Sequence, residues 1–149
     1  MKYWSLAVLL LIVGGLMVPV SGAEPGRYSY ITVESVQINL VNDRATIEVW
    51  YSIDEGVQFL VVLLGKSDLK DKLTSILLVE DARYRVIELD HAVLVVEGVS
   101  YNYGDGSYWF PEHAFGTTIP DLIVRTPQSV RHLTDTGVFP NGIGYFETP

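Results

Sequence analysis

The tripeptide Asp135-Thr136-Gly137 is the most specific chemical signal in the chain, because aspartic proteases carry their catalytic aspartate in this motif. In those enzymes two aspartates share one proton, since neighbouring carboxylates do not both ionise easily. Here polar Thr134 precedes the aspartate and bulky Val138 follows the glycine, and 14 residues (149 minus 135) come after Asp135. That remainder is too short for the β-rich segment that completes a protease lobe. We therefore predict that Asp135 is a turn residue and that the chain is not an enzyme.

The 3 histidines are the second place where acid–base or metal chemistry could arise, because each has a carboxylate nearby in sequence. The pairs are Asp90 with His91, Glu112 with His113, and His132 with Asp135. None has the short helical or strand spacing that is typical of zinc ligands. The chain also lacks a nucleophilic serine elbow and a phosphate-binding glycine loop. We expect no metal, no cofactor and no catalytic residue, with a hydrolase as a distant alternative.

The decapeptide "YNYGDGSYWF", residues 101–110, has the composition that best fits a binding site. Aromatic side chains with polar edges are favoured where one side meets a partner and the other stays wet. Aromatic residues are also common in strands, so we favour a hairpin packed into the core and keep a binding loop as the alternative. The candidate binding residues are Tyr101, Tyr103, Asp105, Tyr108 and Trp109. In a carbohydrate-binding module, Tyr103, Tyr108 and Trp109 would stack on sugar rings, and Asp105 would accept hydrogen bonds from hydroxyl groups.

The charge and the cysteine content of the chain exclude several classes of function. The formal net charge is −8, and the acidic residues are spread along the sequence. Phosphate groups are repelled by such a surface, so we expect neither nucleic acid nor an anionic membrane as partner. The chain has no cysteine, which excludes disulfides, thiol catalysis and a lipid anchor on cysteine.

Residues 1–23 have the composition of a secretory signal peptide. One lysine precedes an apolar run over residues 6–20, and small residues at the −3 and −1 positions fit cleavage after Ala23. A retained membrane anchor is the alternative, although the run is shorter than the about 20 residues that span a bilayer. We expect residues 24–149 to form one β-rich domain that is secreted or lies at the cell surface, without membrane insertion.

Two segments show the period of two that is typical of β-strands. Apolar residues occupy every second position on both sides of Asn42-Asp43, which predicts an antiparallel hairpin with one buried face. The segment "YRVIELDHAVLVVEGV" predicts a second hairpin with Asp90-His91 at the turn and a strand, "AVLVV", that is buried on both faces. Shorter strands are expected at residues 107–110, 122–126 and 143–146.

Between the hairpins the apolar residues follow a helical period. In "SDLKDKLTSILL" they fall at i, i+4, i+7 and i+8, and Ser67 is a candidate N-cap. The preceding residues 57–64 fit either a buried strand or a short helix. Asp54 as a cap and Gly65 as a stop favour the helix slightly. The predicted buried positions of the second helix are Leu69, Leu73, Ile76 and Leu77.

These elements predict a mainly β, α+β fold. We expect an antiparallel β-sandwich or curved sheet, with one helix or a helical hairpin inserted between two β-hairpins. The succession of "SVQINLVNDRATIEVWYSID", "FLVVLLGKSDLKDKL" and a β-rich remainder resembles small exported proteins of methanogenic archaea that have no assigned function. The resemblance implies a surface or extracellular setting and supplies no site residues.

The sequence favours a non-catalytic exported domain that contacts another protein or the cell envelope. That function predicts exposed aromatic residues gathered in one apolar patch. The alternative is a carbohydrate-binding module, for which the rings are exposed and coplanar and carry polar groups at their rim. The partner is accordingly a protein or a surface glycan.

Overall fold

The computed structural model describes residues 24–149, in which the mainly β, α+β fold is confirmed. The predicted signal peptide, residues 1–23, lies outside the described residues. The strands are β1 Arg27–Tyr28, β2 Ile31–Val41, β3 Arg44–Ile53, β4 Arg83–Ile87, β5 His91–Val96, β6 Tyr101–Asn102, β7 Ser107–Phe110, β8 His113–Arg125, β9 Val130–Phe139 and β10 Ile143–Phe146. The helices are α1 Glu55–Leu64 and α2 Ser67–Leu77. They form the predicted helical hairpin between two β-hairpins.

The main sheet has the strand order β4-β5-β3-β2-β8-β9, with β1 beside β2. Its strands pair antiparallel except for β2 and β8, which are parallel over residues 36–39 and 122–125. No pattern in the sequence predicted a parallel pair. It arises because the chain passes through two helices, a second hairpin and the small sheet before it returns beside β2, and a parallel pair needs such a long crossover.

The first predicted hairpin is confirmed, with β2 and β3 joined at Asn42-Asp43. Its alternating apolar residues line one buried face, on which Ile38 pairs with Ile47 and Val36 with Val49. The second hairpin joins β4 to β5, but His91 is the first residue of β5 and not part of the turn. Alternate residues of β5 are only partly buried, so the prediction that "AVLVV" is covered on both faces is wrong. The neighbouring strands β2 and β3 show the same alternation, so the main sheet is fully covered on one face only.

The ambiguous residues 57–64 belong to helix α1, which ends at Gly65 as the sequence indicated. Asp54 occupies the N-cap position, but its carboxylate accepts two hydrogen bonds from Arg27, at 2.6 and 3.0 Å, and none from the helix. Ser67 is the first helical residue of α2 and not its cap. The predicted apolar positions of α2 are confirmed as fully buried, namely Leu69, Leu73, Ile76 and Leu77.

A small antiparallel sheet, with the strand order β10-β7-β6, packs against the end of the first hairpin. The Tyr145 hydroxyl lies 2.6 Å from Ser100 Oγ and donates a 2.5 Å hydrogen bond to the carbonyl of Asn42 in the β2–β3 turn. Phe110 of β7 contacts Phe139 at the end of β9, with ring centroids 5.6 Å apart. The small sheet therefore shares its inner face with the core of the main sheet and turns its other face outward.

Candidate binding surface

The outer face of the small sheet carries exposed aromatic side chains from all three of its strands. Tyr101 of β6 pairs with Trp109 of β7, and Trp109 pairs with Gly144 of β10. Two residues away from Trp109 along β7, Ser107 pairs with Phe146. Directly paired residues point to the same side of a sheet, so these side chains share one face. Tyr101 is 65% exposed and Trp109 is 37% exposed.

Tyr103 extends this face beyond the end of β6. Its amide donates a 3.1 Å hydrogen bond to the carbonyl of Ser107, so the ladder continues past Asn102. Its side chain is about as exposed as that of Tyr101, two positions earlier in the chain. We call Tyr101, Tyr103, Trp109 and Phe146 the aromatic face.

Tyr108 is a candidate from the sequence that does not belong to the aromatic face. Successive residues of a strand point to opposite sides, so Tyr108 faces inward between outward-facing Ser107 and Trp109. It is 7% exposed, and its ring stacks on that of Tyr145 with centroids 5.7 Å apart. The predicted packing of this segment into the core therefore holds for Tyr108, whereas Trp109 on the opposite face of the same strand is exposed.

The Trp109 ring lies against two glycines of the C-terminal segment. A Cβ atom at Gly142 would lie 2.7 Å from Cζ2 of the indole, and one at Gly144 would lie 3.5 Å from Cε3. Any larger residue at position 142 would collide with the ring, and the positive φ of 62° there also favours glycine. The indole thus extends over both glycines and occupies the space that larger side chains would need.

The turn between β6 and β7 places polar groups beside the aromatic face. Gly104 and Gly106 adopt positive φ angles on either side of Asp105. The Asp105 carboxylate accepts hydrogen bonds from the hydroxyl and the amide of Ser107, and these bonds hold its pKa below the usual value. Both bonds use Oδ1, so Oδ2 has no partner among the described residues. A ligand hydroxyl could donate to that oxygen.

Phe146 is a residue of the aromatic face that the sequence analysis missed. The strand that contains it was predicted, but its pairing with β7 is a long-range contact that no local pattern reports. Gln128, in the turn between β8 and β9, bonds to both backbone groups of Phe146, at 3.0 and 3.1 Å. The amide side chain therefore covers the outer edge of β10 and fixes Phe146 in the sheet.

The three histidines have separate structural partners. His91 Nδ1 lies 2.8 Å from Asp90, as their adjacency suggested. His132 bonds to Asp121 across the β8–β9 pair and not to Asp135. His113 Nε2 lies 2.7 Å from the carbonyl of Leu77, where it caps the C-terminal end of α2. Within residues 24–149, no group of three or more histidine, aspartate and glutamate side chains is arranged to hold a metal ion.

Asp135 lies within strand β9 and not in a turn between elements, which corrects the predicted context of the Asp-Thr-Gly motif. The residue is exposed, and its neighbours Thr134 and Thr136 pair with Asp121 and Ile119 in one continuous register. Its φ of 49° lies in the left-handed region, which few residues other than glycine tolerate. Aspartate tolerates this region more readily than most residues do. The same tolerance was the basis for predicting Asp135 as a turn residue.

A cavity of about 330 Å³ lies between the main sheet, the small sheet and the residues that follow α2. Ile38, Ile47 and Phe110 form its apolar wall, and Glu80 and Asp81 lie at its rim. Its size is at the lower end of the range for small-molecule sites.

No family model, curated protein or solved structure matches the chain, so function has to be inferred from the described residues. Neither helix among residues 24–149 has the length and apolar character needed to span a bilayer. The aromatic face combines exposed rings with polar neighbours. It is the surface of the described residues with the clearest binding chemistry.

Proposed function

We propose that the protein is an exported, non-catalytic binding domain that recognises a surface glycan through its aromatic face. The observation that carries this proposal is the exposure of four aromatic side chains on one side of a sheet whose other side is core. Removing the apolar surface of an aromatic ring from water is favourable. A ligand that covers these exposed rings therefore gains binding free energy from them. The signal-like residues 1–23 support export.

The spacing of the rings suits a chain of sugar units. Neighbouring strands lie about 4.8 Å apart, and residues two positions apart along a strand lie about 7 Å apart. Trp109 and Tyr101 occupy neighbouring strands, and Phe146 and Tyr103 lie on either side of Ser107 in the adjacent row. The face is thus wide enough for about two sugar rings.

The polar rim favours a glycan over a protein partner. A protein contact would be served by an apolar patch alone, whereas a sugar presents apolar ring faces together with hydroxyl groups. Asp105 offers an ionised acceptor next to the rings, and the Ser107 hydroxyl lies between Tyr103 and Phe146. This mixture of stacking surfaces and acceptors is what a sugar needs.

The two tryptophans among the described residues provide a matched test of the proposal. Trp109 and Trp50 are 37% and 36% exposed, but Trp50 lies in β3 of the main sheet. We expect Trp109→Ala to weaken binding to soluble polysaccharides about tenfold, because a stacked ring contributes roughly 1–2 kcal/mol. Trp50→Ala should leave the affinity unchanged. Titration calorimetry against a panel of neutral and acidic polysaccharides measures both affinities.

Intrinsic fluorescence gives a second measure of the same site. A sugar stacked on Trp109 should change the emission of the wild type and of Trp50→Ala, and should leave the emission of Trp109→Ala unchanged. Tyr101→Ala and Phe146→Ala should weaken binding without removing the fluorescence change. Loss of binding in Trp50→Ala but not in Trp109→Ala would contradict the proposed site. If the wild-type protein binds none of the polysaccharides, the result would contradict a glycan ligand and favour a protein partner.

A further inference from the structure

Helix α1 carries a second apolar surface that nothing among the described residues covers. Its inner side, with Val57 and Val61, packs on the core. Its outer side bears Gly56, Phe59, Leu60 and Leu63, which fall at i, i+3, i+4 and i+7 and form what we call the apolar stripe. Phe59 is 69% exposed and Leu63 is 65% exposed, and Val62 and Leu64 beside them are also exposed.

The apolar stripe has the pattern of a helix that packs on a second helix. Apolar residues at these spacings form one continuous face, and a helix that is apolar all round is normally covered on every side. Gly56 has open space around its Cβ position, which allows another backbone to approach closely at this end of the stripe.

The area of the exposed residues is sufficient for a weak dimer. The stripe residues Phe59, Leu60 and Leu63, together with Val62 and Leu64 that flank them, are between 48% and 78% exposed and present on the order of 500 Å² of apolar surface. Two such surfaces together amount to about 1,000 Å², which is the lower limit for a specific interface. Dissociation in the micromolar range is expected for a contact of this size.

We infer that the apolar stripe of α1 docks against the same stripe of a second copy of this chain, with the two helices antiparallel. The stripe itself carries no charge, whereas the chain as a whole has a net charge of −8 and other surfaces repel each other. Glu55 stands at the start of α1, and Lys66 after its end is already paired with Glu88 and donates to the carbonyl of Ile87. Antiparallel packing opposes the two helix dipoles and keeps the two Glu55 carboxylates apart.

Antiparallel packing about a two-fold axis also matches large residues to small ones. The centre of the stripe falls between Phe59 and Leu60, so the axis passes there and each copy contributes the same residues. Gly56 of one copy then faces Leu63 of the other, and the small residue makes room for the large one. A parallel pair would instead place Gly56 against Gly56 and Glu55 against Glu55.

A lipid surface is a less suitable occupant of the stripe. Helices that lie in a membrane interface carry lysine and arginine beside their apolar face and are attracted by anionic lipids. The last turn of α1 contains no basic residue, and its first turn contains Glu55. A strongly acidic domain would also be repelled by such lipids.

The oligomeric state of the exported protein tests the inference directly. Sedimentation from about 1 to 100 µM should show a monomer–dimer equilibrium, the behaviour of a small apolar interface. Leu63→Gln keeps helix propensity and should weaken dimerisation at least tenfold. The matched control is Leu78→Gln, since Leu78 is also exposed but lies after α2, and it should dimerise like the wild type. A monomer at every concentration, or equal loss in both variants, would overturn the inference.

The absence of native cysteine allows the arrangement of the two helices to be tested by single-cysteine variants of the full chain. In the antiparallel dimer, position 60 lies near the two-fold axis. Leu60→Cys should therefore form a disulfide between the two copies of the same variant. Gly56→Cys and Leu63→Cys should each cross-link poorly alone and efficiently when mixed. Efficient self-linking of Gly56→Cys would contradict the antiparallel arrangement. Flotation with phosphatidylcholine vesicles that Leu63→Gln abolishes would show a lipid occupant and would also overturn the inference.

Discussion

Tyr108 and Trp109 are adjacent in β7, but Tyr108 is buried and Trp109 is exposed. The sequence therefore allowed part of the candidate site to be predicted. Composition identified the aromatic segment, and the period of two of a strand separates Trp109 from Tyr108 once β7 is known. Phe146 could not be found in this way. Its place beside Ser107 depends on long-range pairing and on the side chain of Gln128.

Asp135 provides a prediction at the scale of one residue. Its left-handed conformation, with φ of 49°, is accessible to asparagine but costly for a β-branched residue. We expect Asp135→Asn to change the free energy of unfolding by less than about 1 kcal/mol, and Asp135→Val to lower it by roughly 1–2 kcal/mol. Urea denaturation of both variants measures the difference. Equal stability of the two variants would show that the conformation of residue 135 imposes no constraint.

At the scale of elements, the sequence predicted the strands that alternate cleanly and missed those that do not. The β2–β3 hairpin and the buried residues of α2 follow directly from periodicity. Strand β9 was missed because its residues are mostly polar and partly exposed, as expected at a sheet edge. Strand β8 was predicted only over residues 122–126, since Gly116 and Pro120 interrupt the earlier part. A register shift between Ala114 and Ile119 accommodates that interruption.

Gly116 tests how helix α2 is seated on strand β8. A Cβ atom at position 116 would clash with the Ser75 carbonyl oxygen and would lie 3.3 Å from the Cα of Ile76. Because backbone atoms cannot yield as a side chain can, we expect Gly116→Ala to destabilise the protein by about 1–3 kcal/mol. The matched control is Gly137→Ala in β9, where the added methyl group meets nothing within 4 Å. It should be neutral or stabilising by up to about 1 kcal/mol.

Thermal and urea denaturation of the two glycine variants give the comparison. A similar loss of stability in both would mean that backbone freedom in the β8–β9 pair, and not the contact with α2, determines the result. A loss confined to Gly116→Ala would show that α2 approaches β8 as closely as the structure describes.

At the scale of the whole molecule, tyrosine hydroxyl groups join elements that are distant in sequence. Tyr51 of β3 donates to the carbonyls of Glu88 and His91 at the second hairpin, at 2.5 and 3.2 Å. Tyr84 of β4 lies 2.9 Å from Thr74 of α2, and Tyr145 reaches the β2–β3 turn. Such contacts connect the sheet, a helix and the small sheet without any disulfide. No sequence pattern predicts these hydrogen bonds, because each one depends on the tertiary packing of elements that are distant in sequence.

The same tyrosines predict how stability depends on pH. Burial raises the pKa of Tyr51, Tyr84 and Tyr145 above the ordinary value of 10.0, and nearby carboxylates add to the effect. The unfolded chain therefore loses these protons at a lower pH than the folded protein does. Stability from this source is complete below pH 10 and is lost as the pH rises from there towards the folded pKa values. Urea midpoints measured from about pH 8 to 11 should fall steeply in the upper part of that range.

Tyr51→Phe separates this titration from the hydrogen bonds that Tyr51 makes. At neutral pH the variant should be less stable by about 1 kcal/mol, because the carbonyls of Glu88 and His91 lose a donor. Above pH 10 its midpoint should fall less steeply than that of the wild type, since one buried phenol no longer resists ionisation. Tyr101→Phe alters an exposed phenol and should keep the wild-type slope. Identical alkaline slopes in Tyr51→Phe and the wild type would show that Tyr51 does not contribute to the pH dependence.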